Sequence, residues 1–424
     1  MRGGGVNSSL KYRKIKDFKF SGTAVFGKVN YANVVAIYLY DTSLGGWIKK
    51  IIFSLFYATR VITHETAKCR VLLFYSARHK KRADYDYIPN QLREILGRNC
   101  SYAESEERFS IVQAWQTLTR FWSSFQGVKG YRVGVLQKVA TALLIAKYRT
   151  TAIYSFRSLL RGQDRLVTFC DAHAPENLLA QMGNTAGLFT VTNQHGQYRV
   201  LDERNMSSDA EAYSNFVSRR MLCWGKATQA EFSRYGFPPE NLIVSGWVKD
   251  WSRLALPRAK KISKGVFGVM LNADSAKESN LELIATAKFI AQELGLQYLI
   301  RLHPWSRPKE YLEHLDGGLQ SIGHFDIATY LIDVDFSLAH MSGAVVEVLY
   351  AGAPIYLLND GRLAQAFQVD GLSYPDSCSI VAAVKADQLM PIAAQRRFLN
   401  IGQWYNDDRD QAARIRKAIF EGIE

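Results

Sequence analysis

Cysteine is sparse and scattered in this chain. Its five cysteines (Cys69, Cys100, Cys170, Cys223 and Cys378) include no Cys-x-x-Cys pair and are odd in number. That argues against a disulfide framework or a zinc site and fits a reducing, cytoplasmic setting. Long apolar runs are missing too: the densest, Ile51–Phe53 with Leu55–Ala58, is much too short to span a bilayer. The polar N-terminus has no apolar core followed by a cleavage site, so no secretory signal is expected. The chain contains no P-loop, GxGxxG, GxSxG or HExxH motif, no internal repeat and no heptad run. His64, His79, His173, His314, His324 and His340 show no metal-ligand spacing. Asp333-Val334-Asp335 spells a DxD, but it precedes an apolar strand, whereas a metal-binding DxD ends one. Neither a metal nor a cofactor is expected.

Positive charge is in excess. There are 53 Lys and Arg against 39 Asp and Glu, a formal charge of +14. Residues 1–66 alone hold ten basic and three acidic side chains, a basic N-terminal extension. An anionic membrane surface or a polyanion would answer such charge. No helix-turn-helix, RRM or zinc signature accompanies it, so nucleic acid is not an expected partner. Helical spacing across 47–62 allows a helix lying on a membrane interface or packed on the next domain.

At 424 residues, two or three domains are expected. Residues 1–30 read as loosely ordered, and Val34–Tyr40 as a strand. Strand patterns at 70–75, 166–170, 188–192, 221–224 and 242–244 alternate with helical ones, and 101–165 reads as aromatic-rich helices. The basic, Pro-containing stretch 254–264 is the linker candidate. A second α/β unit follows, with strands at 266–271 and 298–302 and helices at 280–294, 388–396 and 404–420. Phe336–Leu358 reads as strand, small-residue turn, helix, strand, a right-handed parallel crossover. Ser342 is its N-cap, Gly343 the start of a helix whose free N–H groups suit a phosphate, and Glu347 lies one turn on, where a carboxylate can take ribose hydroxyls. Parallel sheets bind ligands beyond the carboxyl ends of their strands. Asp171, His195, Gly246, His303 and Ser342 all fall there.

Four motifs carry a resemblance. They are Gln194-His195-Gly196 after a strand, the run Trp224–Asp250 ending in Ser245-Gly246, the IRLHP of Ile300–Pro304, and the Ser342-Gly343…Glu347…Gly352-x-Pro354 pattern. Together they resemble GT-B glycosyltransferases, and more narrowly bacterial surface-polymer transferases of the CDP-glycerol glycerophosphotransferase and capsule polysialyltransferase type. The acidic-acidic-Gly motif of the polysialyltransferases has no counterpart here. The resemblance implies two Rossmann-like domains facing across a cleft: an acceptor domain at 67–253, the linker at 254–264, a nucleotide-donor domain at 265–403, and a helix at 404–424 folding back on the first domain.

Transfer from a nucleotide donor needs a base for the acceptor hydroxyl and charge stabilisation for the leaving phosphate. His195 is the candidate base. Asp171 is a second base, a group orienting His195, or an N-cap for the helix at Ala174. Arg301 and His303, two apart on a strand, point to one side and could meet one phosphate. Ser342 and Gly343 would hold its other side, Glu347 the ribose, and Gly246 would line the donor site. The expected activity is metal-independent transfer from a nucleotide-activated sugar, CMP or CDP slightly ahead of UDP, to a glycan or lipid-linked acceptor. It would serve capsule or cell-wall synthesis, in the cytoplasm and peripheral to the inner membrane face. A GT-B-like UDP-sugar epimerase and a non-catalytic membrane- or polymer-binding subunit are the alternatives.

Overall fold

Short, fully apolar strands alternating with helices can be satisfied only in parallel sheets covered on both faces. The computed structural model describes residues 4–65, 70–76, 83–97, 100–197, 215–234, 236–249, 251, 254, 264–304, 306–315 and 318–421. Two such sheets are present. The first has seven strands: β1 (Tyr57–Glu65), β2 (Val71–Ser76), β3 (Ser101–Phe109), β4 (Arg165–Thr168), β5 (Phe189–Asn193), β6 (Arg220–Cys223) and β7 (Leu242–Val244). Their order is β1-β3-β2-β4-β5-β6-β7, parallel throughout except for the edge pair β1–β3. The second has six: β8 (Val266–Met270), β9 (Gln297–Arg301), β10 (Leu319–Gly323), β11 (Ser337–Ala339), β12 (Ile355–Leu358) and β13 (Ser373–Tyr374). It is wholly parallel in the order β10-β9-β8-β11-β12-β13. Strand order reverses between β2 and β4 in one sheet and between β8 and β11 in the other. Those two switch points are where such sheets open a crevice.

Seven helices matter below: α1 (Leu44–Phe56), α2 (Ile111–Gly127), α3 (Val135–Thr151), α4 (Ile327–Asp333), α5 (Gly343–Tyr350), α6 (Pro391–Tyr405) and α7 (Gln411–Phe420). The pair α2–α3 is inserted between β3 and β4 and packs with α1.

The N-terminal region departs from the sequence expectation. Residues 4–20 are helical, and Ile15 and Phe18 are buried, so 1–30 is not loosely ordered as a whole. Val34–Tyr40 is no strand: it is the end of a short helix capped by Asn30 and a following 3-10 turn. An apolar run of that length has no periodicity to tell strand from buried helix, and here Val34, Val35, Ala36 and Leu39 are enclosed in a core shared with Leu72, Phe74 and Leu144. The basic extension is therefore built into the first unit. The helix expected over 47–62 stops at Phe56, and Tyr57–Glu65 becomes the antiparallel edge strand β1. Its partner β3 lies where only helices were expected. Most of the linker candidate lies outside the described residues; only its ends, Leu254 and Lys264, are described.

The last helical stretch is also broken. α6 ends at Tyr405 and α7 starts at Gln411, with Asp410 in the left-handed region at φ 50°. The segment between them crosses from one unit to the other and is stitched to both. Asn406 Oδ1 accepts from the Trp247 N–H at 2.7 Å, the Asp407 N–H donates to Trp224 O at 2.9 Å, and the Tyr350 hydroxyl donates to Asp408 at 2.9 Å. Beyond it, Ile415, Ala418 and Ile419 of α7 are buried beside Val71, Leu73 and Leu242 of the first sheet. Asp407 binds Arg409 at 2.8 Å and Arg414 at 3.3 Å. The Arg409 hydrogen bond, with help from Arg414, holds its carboxyl well below the usual range. A depressed carboxyl contributes stability above its unfolded-state value and loses it as pH falls. Asp407→Asn should therefore lower stability by about 2 kcal/mol at pH 7. The gap to wild type should close below about pH 4, read by denaturant unfolding across pH.

Candidate active site

In the first unit, β4 and β5 are neighbours with Thr168 opposite Thr192, so their carboxyl-end loops leave the sheet together. Gln194 fixes the loop after β5. Its N–H donates to Leu222 O, its side-chain oxygen accepts from the Trp224 N–H at 2.7 Å, and its carbonyl accepts from Trp224 Nε1 at 3.0 Å. His195 follows, half-buried, with its ring 5.9 Å from that of Phe169 and its Nε2 3.9 Å from Cys170 Sγ. Asp171 is buried, and burial pushes its carboxyl up to about 6. Its Oδ2 accepts from the N–H groups of Val217 and Ser218, at 3.1 and 2.6 Å, tying the β4 loop to the segment before β6. Pro175 takes the N-cap position of the following helix. Asp171 thus serves as a backbone anchor.

The turn after Asp171 also returns His173 to the site. Its N–H donates to Cys170 O, and its ring lies 5.8 Å from that of His195. Cys170, His173 and His195 place one sulfur and two imidazole nitrogens within 4.8 Å of one another. Linear spacing hid this group.

In the second unit, the switch point between β8 and β11 carries Ser342 and Gly343. Ser342 caps α5, its Oγ accepting from the Ala344 N–H at 3.2 Å. Open space surrounds the Gly343 Cα on its side-chain side. Just before them, buried His340 is 2.8 Å from Asp360. Arg301 and His303 have different neighbours. Arg301 Nε donates to Phe325 O at 2.9 Å, and the side chain lies in the field of Tyr330 and Asp326, toward α4. His303 sits near Asp274 in the loop after β8. Asp274 is held below the usual carboxylate range first by a hydrogen bond from Ser306, then by Tyr311, with His303 and Arg307 adding positive field. Asp335 of the DxD accepts from the N–H groups of Lys264 and Gly265, which fastens the start of β8.

Three tryptophans join the units. Trp224 stacks on Trp247 at 3.9 Å, Trp247 meets Trp251 edge-on at 5.4 Å, and Trp251 stacks on Tyr350 of α5 at 4.0 Å. Lys249 lies over Trp247 and forms a close ion pair with Glu347 of α5. Neither the aromatic stack nor Lys249 had a signal in the sequence beyond the Trp-rich run itself. Gly246 has φ 85°, and a Cβ there would lie 2.6 Å from Asp408 Cα. Its neighbours are thus the crossing segment.

No protein-family model matches the sequence, and no curated protein matches it. Solved structures do. Anabaena HepE, in complex with UDP and glucose, matches with a TM-score of 0.50 at 14% identity, over 82% of this chain and 98% of its own. UDP-GlcNAc 2-epimerase from Neisseria meningitidis, bound to UDP-GlcNAc, gives 0.49 at 11% identity over 82% and 98%. Such identities speak to fold alone. The chain has the two-unit GT-B fold.

Gly246→Ala must meet both left-handed strain and the crossing backbone, so it should cost about 3 kcal/mol. Gly295→Ala, also at positive φ but facing open space, should cost only about 1 kcal/mol. Parallel denaturation of the two variants checks the difference.

Proposed function

We propose that this protein is a glycosyltransferase of bacterial surface-polysaccharide synthesis. It moves a sugar from a nucleotide-activated donor to a glycan or lipid-linked acceptor. The acceptor unit is 67–253 and the donor unit 265–403, joined by 254–264, with 404–424 returning to the first. One observation carries the reading: at the second switch point a capped helix start faces open space beside Gly343. The N–H groups there suit the donor phosphates, and the His303 imidazole adds a hydrogen-bond donor. Arg301 lends positive field from the α4 side, and Gly246 lets the crossing segment pack closely against the acceptor unit. Glu347 takes ribose hydroxyls by exchanging its bond to Lys249, whose ammonium is then released toward phosphate.

His195 Nε2 accepts the proton of the acceptor hydroxyl as its oxygen attacks the anomeric carbon. The carbon–oxygen bond to phosphate breaks, and the electron pair leaves with the nucleotide. Asp171 keeps the His195 loop in place. The helix start and His303 meet the leaving charge, so the proposal assigns the donor no metal. HepE, on the same fold, holds UDP and glucose, which supports a nucleotide-sugar donor. The resemblance carried by the sequence motifs puts CMP or CDP slightly ahead of UDP as the donor nucleotide.

Incubation with CMP-, CDP- and UDP-sugars plus acceptor should release one nucleotide. His195→Ala and His303→Ala should each cut release at least about a hundredfold, with circular dichroism unchanged. Near-wild-type release in either removes the mechanism. Acceptor-free conversion of a UDP-sugar would instead identify an epimerase, and no nucleotide affinity at all a binding subunit.

Peripheral contact with an anionic membrane belongs to this proposal. No described helix is long and apolar enough to cross one. Yet Ile111, Trp115, Leu118 and Trp122 form one stripe of α2 and are all exposed, Trp115 by 73% and Trp122 by 67%. Leu44, Ile48 and Ile52 form a second exposed stripe on α1. Between Glu107 and Asp164 the sequence has nine Lys and Arg and no Asp or Glu. Interfacial aromatics among cations fit an anionic lipid surface, at the inner face where a lipid-linked acceptor waits. Trp115→Ser with Trp122→Ser should weaken co-sedimentation with phosphatidylserine-containing vesicles at least tenfold, leaving transfer to a soluble acceptor intact. Unchanged vesicle binding, with a shift in sedimentation mass, would make the stripe a contact between copies of the chain.

A further inference from the structure

The loops after β4 and β5 bring together a thiol and two imidazoles that the transfer chemistry above does not require as a group. Cys170 lies two residues past β4 and His195 two past β5, and these strands are parallel neighbours. The Cys170 sulfur is 3.9 Å from His195 Nε2, and His173 completes the group within 4.8 Å. We propose that Cys170, His173 and His195 bind a thiophilic divalent cation of the zinc class.

The donor set is the argument. One sulfur and two imidazole nitrogens are the ligands that zinc prefers over magnesium or calcium. With metal–sulfur bonds near 2.3 Å and metal–nitrogen bonds near 2.0–2.1 Å, tetrahedral ligand atoms sit about 3.3–3.7 Å apart. The observed separations need only small side-chain rotations to close to that. Cys170 is 1% exposed, while both histidines are half-buried, so solvent reaches the group from the histidine side and not from the sulfur side. Three protein ligands with one open position is the pattern of a zinc site that still admits water or a small ligand. On binding, the thiol proton goes to solvent as the sulfur–metal bond forms, and each imidazole gives a nitrogen lone pair. Cys170 and His173 stand in a Cys-x-x-His spacing, and His195 follows on the next strand.

A consequence follows for the proposed reaction and rests on that reading. The His195 lone pair cannot both hold a cation and take a proton. Occupancy therefore silences the base, and a zinc-class ion is an inhibitor of transfer. The binding itself is independent of any reading of the activity.

Cobalt(II) is the probe, added to the full-length protein. Wild type should develop a thiolate-to-cobalt charge-transfer band and tetrahedral visible bands, displaced by zinc. Cys170→Ser should lose the charge-transfer band with unchanged circular dichroism, and His173→Ala should bind cobalt at least tenfold more weakly. No thiolate band in wild type, or the same band in Cys170→Ser, overturns the site. In a transfer assay, zinc should inhibit wild type, and its inhibition constant, taken relative to each protein's own zinc-free rate, should rise at least tenfold in Cys170→Ser. Absence of transfer under every condition would count against the enzyme reading and leave the cobalt result standing.

Discussion

Four rings in contact, two pairs face to face and one edge-on, set where the two halves of this molecule sit. Trp224 directly follows β6 of the first sheet, Trp247 and Trp251 belong to the chain leaving that sheet, and Tyr350 to α5 of the second unit. Each aromatic pair contributes about 0.5–1.5 kcal/mol beyond the area it buries. Trp224, Trp247 and Trp251 are buried in the same core as Phe267, Leu338 and Val346. The stack also reaches the chemistry at both ends. Trp224 holds Gln194, and so the backbone that presents His195. Tyr350 ends the helix that begins at Gly343. A shift in the stack would therefore move the candidate base and the candidate phosphate cradle relative to each other.

Strand order alone leads to the Gly343 loop and to the loop beside that of His195. In a doubly wound sheet the helices before and after a reversal lie on opposite faces, so the loops at that point part and leave a crevice. In the second sheet that reversal falls between β8 and β11, whose following loops carry Asp274 and Ser342. In the first it falls between β2 and β4, next to Cys170. The candidate site chemistry lies where backbone topology leaves room.

The sequence announced the second unit well because its signals are local. Ser342 as cap, Gly352 as stop and the apolar runs at 266–270 and 355–358 each need only their neighbours to be read. The first 110 residues were hard for the opposite reason. Val34–Tyr40 is apolar on every side, so no period distinguishes helix from strand, and β3, with Glu104, Glu106 and Glu107 among its residues, looks like a helix until β1 pairs with it. The site was legible as positions and not as contacts. His195 and Ser342 follow strands, as read, but their partners come from elsewhere: Trp224 is 30 residues from Gln194, and Lys249 is 98 from Glu347. Arg301 and His303 illustrate the limit. Alternation pairs side chains only within a strand, and β9 stops at Arg301, so His303 lies beyond its reach.

The Lys249–Glu347 pair shows why contacts of this kind resist reading from composition. It lies half-enclosed between aromatic faces, where taking both charges from water costs about as much as their attraction returns. Its net contribution to stability is accordingly small, and an apolar pair of similar shape would serve folding as well. What such a pair does supply is exchangeability. A carboxylate satisfied by one ammonium can pass to ligand hydroxyls without being left bare, and the ammonium can pass to an anion at the same moment. The ring contacts would hold the two units at fixed distance during the proposed exchange, because they are indifferent to charge. Fixed aromatic spacing and a movable ion pair, side by side at one interface, would thus be complementary parts of the donor site proposed above.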